Sequence, residues 1–173
     1  MGREPPYCDE YLHGALVCAL SRGYEEIFRF LVSEGVWLEY QNPKLGKTVL
    51  HLASQLQYPA MTQILLVHGA EVEARCAAGR TALHYCSNSP NRWESLMLLL
   101  EFDADVHARD IQENTPLHWA AVRRNLNGVR LLLVYGADRD ARNAFGLTPL
   151  ERAQLLGCFD WSVAHELHPE AYP

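Results

Sequence analysis

Apolar residues return along this chain in two alternating forms, a lone leucine shortly after a threonine and a block of three. The lone leucines are Leu50, Leu83, Leu117 and Leu150, each two residues beyond Thr48, Thr81, Thr115 or Thr148. The blocks are Ile64-Leu65-Leu66, Leu98-Leu99-Leu100 and Leu131-Leu132-Leu133, followed by Gly69, Asp103 and Gly136. The threonines are spaced 33, 34 and 33 residues apart, the turn residues 34 and 33, and Gly35 extends the second series backwards by 34. Two independent registers sharing one period mark an internal repeat.

Each repeat predicts two helices. The threonine caps the first, with its hydroxyl available to free backbone N–H groups, and Pro116 and Pro149 suit the first turn, where no donor is needed. The lone leucine then points into the stack, and the apolar block buries the second helix. Gly69 and Gly136 supply the left-handed turn that ends it, and Asp103 is tolerated in their place. Pro59 and Pro90 are expected to begin second helices. One extra residue falls near Pro43–Leu45 and another near Asn91–Trp93, both expected in exposed loops.

The segments GKTVLHLA, GRTALHYC, ENTPLHWA and GLTPLERA, with LLLVYGAD, resemble the ankyrin repeat family. That family's unit has about 33 residues and a TPLHxA signature. The resemblance covers about residues 9 to 168 and implies an all-α ankyrin-repeat solenoid. In it, about five helix-turn-helix repeats are joined by β-hairpin-like loops. A tail at 1–8 precedes repeats near 9–42, 43–75, 76–109, 110–142 and 143–173. The first departs most, with Gly14 and Val17 in place of threonine and histidine, and the last has Glu151 in place of histidine. Both read as capping repeats whose outer faces meet water.

With 173 residues, 49% hydrophobic and 21% charged, the chain has an ordinary globular composition. Its net charge of −6 argues against a general nucleic-acid binder. Of 15 basic residues only Lys44 and Lys47 are lysine. Five cysteines without a CxxC pair suit a reducing compartment. The start MGREPPYC has no apolar signal core, Pro6 spoils a myristoylation site at Gly2, and no apolar run reaches membrane-spanning length. The expected setting is intracellular, cytoplasmic or nuclear, with no membrane partner.

Candidate chemistry is sparse. His51, His84 and His118 share one repeat position, but stacking sets such residues about 10 Å apart in a row, whereas zinc needs ligands within about 2.1 Å of one ion. The resemblance instead implies structural histidines that hydrogen bond across neighbouring turns. His165-Glu166-Leu167-His168 lacks the HExxH spacing, the Cys–His neighbours are poor nucleophile–base pairs, and no P-loop, GxSxG or GxGxxG motif occurs. Neither enzyme activity, cofactor nor metal is expected. Asparaginyl hydroxylation, known on the family's hairpins, finds Glu73, His107 and Asp140 at the acceptor position, and only His107 is a plausible acceptor.

The resemblance implies protein binding through a concave side made of hairpin tips and first helices. By alignment the tips carry Lys44, Leu45 and Lys47, then Arg80, then Ile111, Gln112 and Asn114, then Phe145 and Leu147. The first-helix ends add Asn88 and Arg123, the residues before the hairpins form the row Arg75, Arg109, Arg142, and Trp93 marks a loop edge. Basic residues interleaved with apolar anchors suit an acidic, partly hydrophobic partner, bound by a monomer; solubilising charge is the alternative. Leu52, Tyr85 and Trp119 share one position, where core packing competes with exposure to the groove. Rival roles are a stand-alone inhibitor of a kinase or transcription factor, or a substrate-recruiting adaptor of a ubiquitin ligase. The adaptor normally carries a C-terminal box, for which a chain ending at Pro173 leaves no room, an objection that lapses if residues 1–173 are a fragment.

Overall fold

The structure, a computed structural model, describes residues 9–89 and 93–171. The tail at 1–8, Pro90 as a helix start, and Asn91 and Arg92 of the inserted loop lie outside those residues. Among the described residues there are helices and no strand. Five successive pairs form: α1 (Asp9–Arg22) and α2 (Glu25–Ser33), α3 (Val49–Leu56) and α4 (Pro59–Val67), α5 (Ala82–Ser87) and α6 (Glu94–Glu101), α7 (Pro116–Val122) and α8 (Leu126–Val134), α9 (Pro149–Leu155) and α10 (Trp161–Leu167). First helices stack in the order α1, α3, α5, α7, α9; beside them α2, α4 and α6 stack, and α8 packs on α10.

The sequence punctuation explains these bounds. Thr48, Thr81, Thr115 and Thr148 are extended N-cap residues, and Pro59, Pro116 and Pro149 open their helices. Gly35, Gly69 and Gly136 take left-handed φ of +80°, +82° and +89° after the second helices, and Asp103 does so at +59°. Leu50, Leu83 and Leu117 from first helices and Leu65, Leu99 and Leu132 from second helices are buried in one core. α1 differs: it runs through Gly14, which stands in mid-helix and not at a cap.

The loops between pairs close without forming strands. Cys76, Asp110 and Asn143 each donate their N–H to the carbonyl four residues on, at 3.0 Å in each case. Asn42 closes instead on Lys47, five residues on at 2.9 Å, which absorbs the extra residue near Pro43–Leu45. Neighbouring tips are joined in turn, with Ala77 N–H to the Leu45 carbonyl, Ile111 to Ala78 and Ala144 to Gln112 at 2.9–3.1 Å. Gly46 and Gly79 permit this approach. Both have positive φ, and a Cβ would come within 2.8 Å of the Ala77 nitrogen and 3.0 Å of the Ile111 nitrogen.

The histidines bind these loops to the helices. The backbone N–H of Thr48, Thr81 and Thr115 donates to Nδ1 of His51, His84 and His118, each at 3.1 Å. Nδ1 therefore accepts, and Nε2 carries the proton, donating to the carbonyls of Arg80, Asn114 and Leu147 in the next unit at 2.9–3.0 Å. Both ring nitrogens are thus spent on backbone groups. Burial pushes all three pKa values down, to about 4 for His84 and His118, which keeps the rings neutral. In the fifth pair Glu151 takes the N3 place of the box, accepting from Thr148 N–H at 2.8 Å.

Candidate partner-binding face

The linked tips place Leu45, Ile111 and Phe145 in one row, all strongly exposed. Lys44 is exposed beside Leu45. Gln112 is exposed, but its backbone serves the neighbouring loop. Leu147 is half-buried at the base of the last tip. Asn88 and Arg123 meet at the helix ends, the Arg123 Nε donating to Asn88 Oδ1 at 2.7 Å. Trp93 stands exposed as the N-cap of α6.

Asn114 corrects the expectation. It is fully buried, donates from Nδ2 to Asp110 Oδ1 at 3.1 Å and accepts from Asn143 Nδ2 at 2.9 Å. Asp110 Oδ1 also receives the N–H of Gln112 and Asn114, and Asn143 Oδ1 that of Phe145 and Leu147. Asn114 therefore cross-links two loops inside the protein and offers no side-chain contact to a partner.

The arginine row is exposed yet anchored. Arg75 Nη1 donates to the Arg109 carbonyl at 2.6 Å, and Arg109 Nη1 to the Arg142 carbonyl at 2.9 Å. Gln41 starts the same ladder by donating to the Arg75 carbonyl at 3.4 Å. Arg109 also pairs with Glu113 at 3.1 Å and Arg142 with Glu151 at 3.4 Å. Two of the row's three charges are thus balanced within the protein, and Arg75 and Arg109 tie adjacent units together, whereas Arg142 bonds its own loop at the Gly146 carbonyl.

The first helices hold a second set of cations. Tyr85 and Trp119 are half-buried, as is Leu52. Lys47 Nζ lies 4.3 Å from the Tyr85 ring and also bonds Gln55 Oε1. Arg80 is half-buried too, with its guanidinium 4.1 Å from the Trp119 ring. Cations cover these aromatic faces, which is where cation–π attraction is strongest. Desolvation lowers the Lys47 pKa. Asp110, buried beneath, accepts from Trp119 Nε1 at 3.1 Å and lies 3.6 Å from Arg80 Nε.

Sequence reasoning missed three residues at the end of this face. Arg152 occupies the register position of Tyr85 and Trp119, with its guanidinium 4.5 Å from the Trp119 ring. Leu155 and Leu156 follow at the end of α9, exposed, and with Phe145 and Leu147 they line a groove of about 420 Å³. Their signal was available: Leu155 aligns with Asn88 and Leu156 with Arg123, both assigned to the face. Trp37 and Trp161, in the first and last units, are both exposed. Among the described residues no group of three or more acidic, cysteine or histidine side chains is placed to hold a metal, and no helix is long and apolar enough to cross a membrane.

Comparison with known proteins adds an independent line. The profile for ankyrin repeats (3 copies) matches residues 15–110, and that for ankyrin repeats (many copies) matches 98–153. The B-cell lymphoma 3 protein homolog of Mus musculus is 34% identical over 84% of this chain and 32% of its own length. Ankyrin repeat and SOCS box protein 6 of Homo sapiens is 31% identical over 97% of this chain and 46% of its own. Palmitoyltransferase AKR1 of Lachancea kluyveri is 31% identical over 76% of this chain and 18% of its own. The chain thus spans less than half the length of each of these relatives.

Proposed function

This chain belongs to the ankyrin repeat family, and we propose that it is a non-enzymatic protein-binding module whose hairpin and first-helix face holds a partner of acidic and apolar character. The supporting observation is the row of exposed apolar tips, Leu45, Ile111 and Phe145, set beside the cations Lys47, Arg80 and Arg152. Large side chains left in water on a rigid frame cost solubility and are available as anchors, and cations around them select an acidic surface and speed encounter. Ankyrin regions generally act as such modules. The palmitoyltransferase relative is matched over 18% of its length, so its activity is not carried over.

Affinity capture with the intact protein tests this reading. Ile111→Asp with Phe145→Asp is expected to release the specific partners, whereas Val134→Asp, on an exposed part of α8, is expected to retain them. Partners that survive the first pair and are lost with the second would overturn it. Raising salt should weaken capture, since the cations are near the surface.

Within this function, the substrate-recruiting adaptor role draws support from similarity to Ankyrin repeat and SOCS box proteins 6 and 16. The inhibitor role would show instead as loss of a captured kinase's or transcription factor's activity. Reconstitution with the captured partner separates them: an adaptor leaves the partner's own activity intact and brings ubiquitin ligase components with it.

A further inference from the structure

Resting on that reading of the face, the geometry points to a two-part subsite at its carboxy-terminal end for a partner segment carrying a bulky apolar side chain beside a carboxylate. The apolar part is the groove of about 420 Å³ between Phe145, Leu147, Leu155 and Leu156. Leu155 is 72% exposed and Phe145 69%, so these side chains contribute little to the core. The volume lies within the range of roughly 300–1,000 Å³ in which proteins bury a compact ligand group.

The charged part is Arg152, the one ionic group lining that groove. Its register position carries Leu52, Tyr85 and Trp119 in earlier units, so a charge there is a departure from the repeat. Arg152 and Arg80 both lie over the Trp119 ring, and Asp110 is the carboxylate at hand for two guanidinia. Asp110 is already engaged by Trp119 and Asn114. Among the described residues Arg152 has no carboxylate in salt-bridge range, and its Nη1 makes a long 3.4 Å bond to the His118 carbonyl. Half-burial of a guanidinium without a full partner is costly, and an incoming carboxylate relieves that cost.

The charge balance selects the anion. Arg80, Arg152 and Asp110 leave one positive charge beside an apolar wall. A carboxylate carries the matching single charge, whereas a phosphate monoester brings about −1.5 to −2 and would leave excess charge in a partly dehydrated site. The groove's other polar lining is neutral: Asn143 is spent on the Phe145 and Leu147 N–H groups, and Gln112 Oε1 lies 3.4 Å from Asn114 Nδ2.

The test pans a phage-displayed random peptide library against the intact protein and measures the selected peptides on variants whose thermal melts match the wild type. Enriched peptides should share a large apolar residue within a few positions of Asp or Glu. Leu155→Asp should weaken them more than tenfold, and Arg152→Met about tenfold, with loss of the acidic preference and a flatter salt dependence. A peptide with the acid changed to Lys should regain affinity on Arg152→Glu. Peptides that enrich without an acidic position, that ignore both variants, or that bind better as phosphopeptides through Arg152 would overturn the subsite, as would a library that enriches nothing. Binding lost in Leu45→Asp but kept in Leu155→Asp would overturn it while leaving the face's function standing. Binding lost only in Val134→Asp would overturn both.

Discussion

Ile27 and Phe30, at the amino-terminal end of the stack, stand 54% and 60% exposed at register positions that hold the buried Met61 and Ile64 one unit later. Ala15 and Cys18 are exposed beside them in register, where Val49 is buried and Leu52 half-buried. At the carboxy-terminal end Glu151 and Gln154 are exposed, in the register of the buried His51, His84 and His118 and of Ser54, Ser87 and Ala121. These positions of the first unit keep the apolar character of an internal interface, whereas these two positions of the last unit are polar. Both end faces meet water among the described residues, the first through apolar side chains and the last through Glu151 and Gln154. Gly14 and Val17 stand where the middle units have threonine and histidine, so the first unit lacks their capping box. Burial in a repeat stack is conferred by the neighbouring unit.

The largest test of this contrast compares residues of the same type in and out of the stack. Leu99→Ala and Leu132→Ala, both fully buried, should each cost about 2–5 kcal/mol in urea unfolding. Phe30→Ala should cost about 1 kcal/mol or less, because most of that ring is already in water. Equal costs would show that the first unit's outer face is covered.

The next effect is a pH dependence that separates the interior boxes from the terminal one. His84 and His118 have folded pKa values of about 4 against 6.5 when free. Between those values the unfolded chain takes up protons that the folded chain refuses. Their contribution is complete above pH 6.5 and is lost as pH falls towards 4, on the order of 3 kcal/mol per histidine. Glu151, whose pKa is lowered by the Thr148 backbone bond, gives up its contribution only below its ordinary 4.5. Urea midpoints should therefore fall between pH 6.5 and 4.5, and His84→Gln should flatten that slope. A level profile across this window would mean that the rings are not held neutral by burial.

How much of this was legible in the sequence depends on how far each residue's role reaches. Thr48, Leu50 and Gly69 act within one unit, so period and local chemistry placed them correctly. Arg75 and Arg109 look like surface charge because their work is done on carbonyls 34 and 33 residues away. The same reach hid Asn114, which aligns with Lys47, Arg80 and Leu147 and shares their place at the hairpin end. Its burial follows from Asp110 and Asn143, whose short side chains fold back on their own loops and need a partner between them. Asx residues opening two successive hairpins were the available signal. Trp119 could not be assigned to core or groove from the sequence, because its covering cations come from the units on either side.

The smallest effects fall within the face itself. Ile111 and Phe145 project from loop tips whose shape is set by backbone bonds and by Asp110 and Asn143, not by the tip side chains. Ile111→Ala and Phe145→Ala should each change stability by less than about 0.5 kcal/mol, as surface substitutions do. Asn114→Ala, one hairpin position away from an exposed glutamate, should cost about 1–3 kcal/mol, because it leaves Asp110 and the Asn143 amide short of buried partners. If Phe145→Ala unfolded the protein while Asn114→Ala did not, the tips would be packing elements. The face would then be a piece of the core, with its anchors committed to holding the stack together.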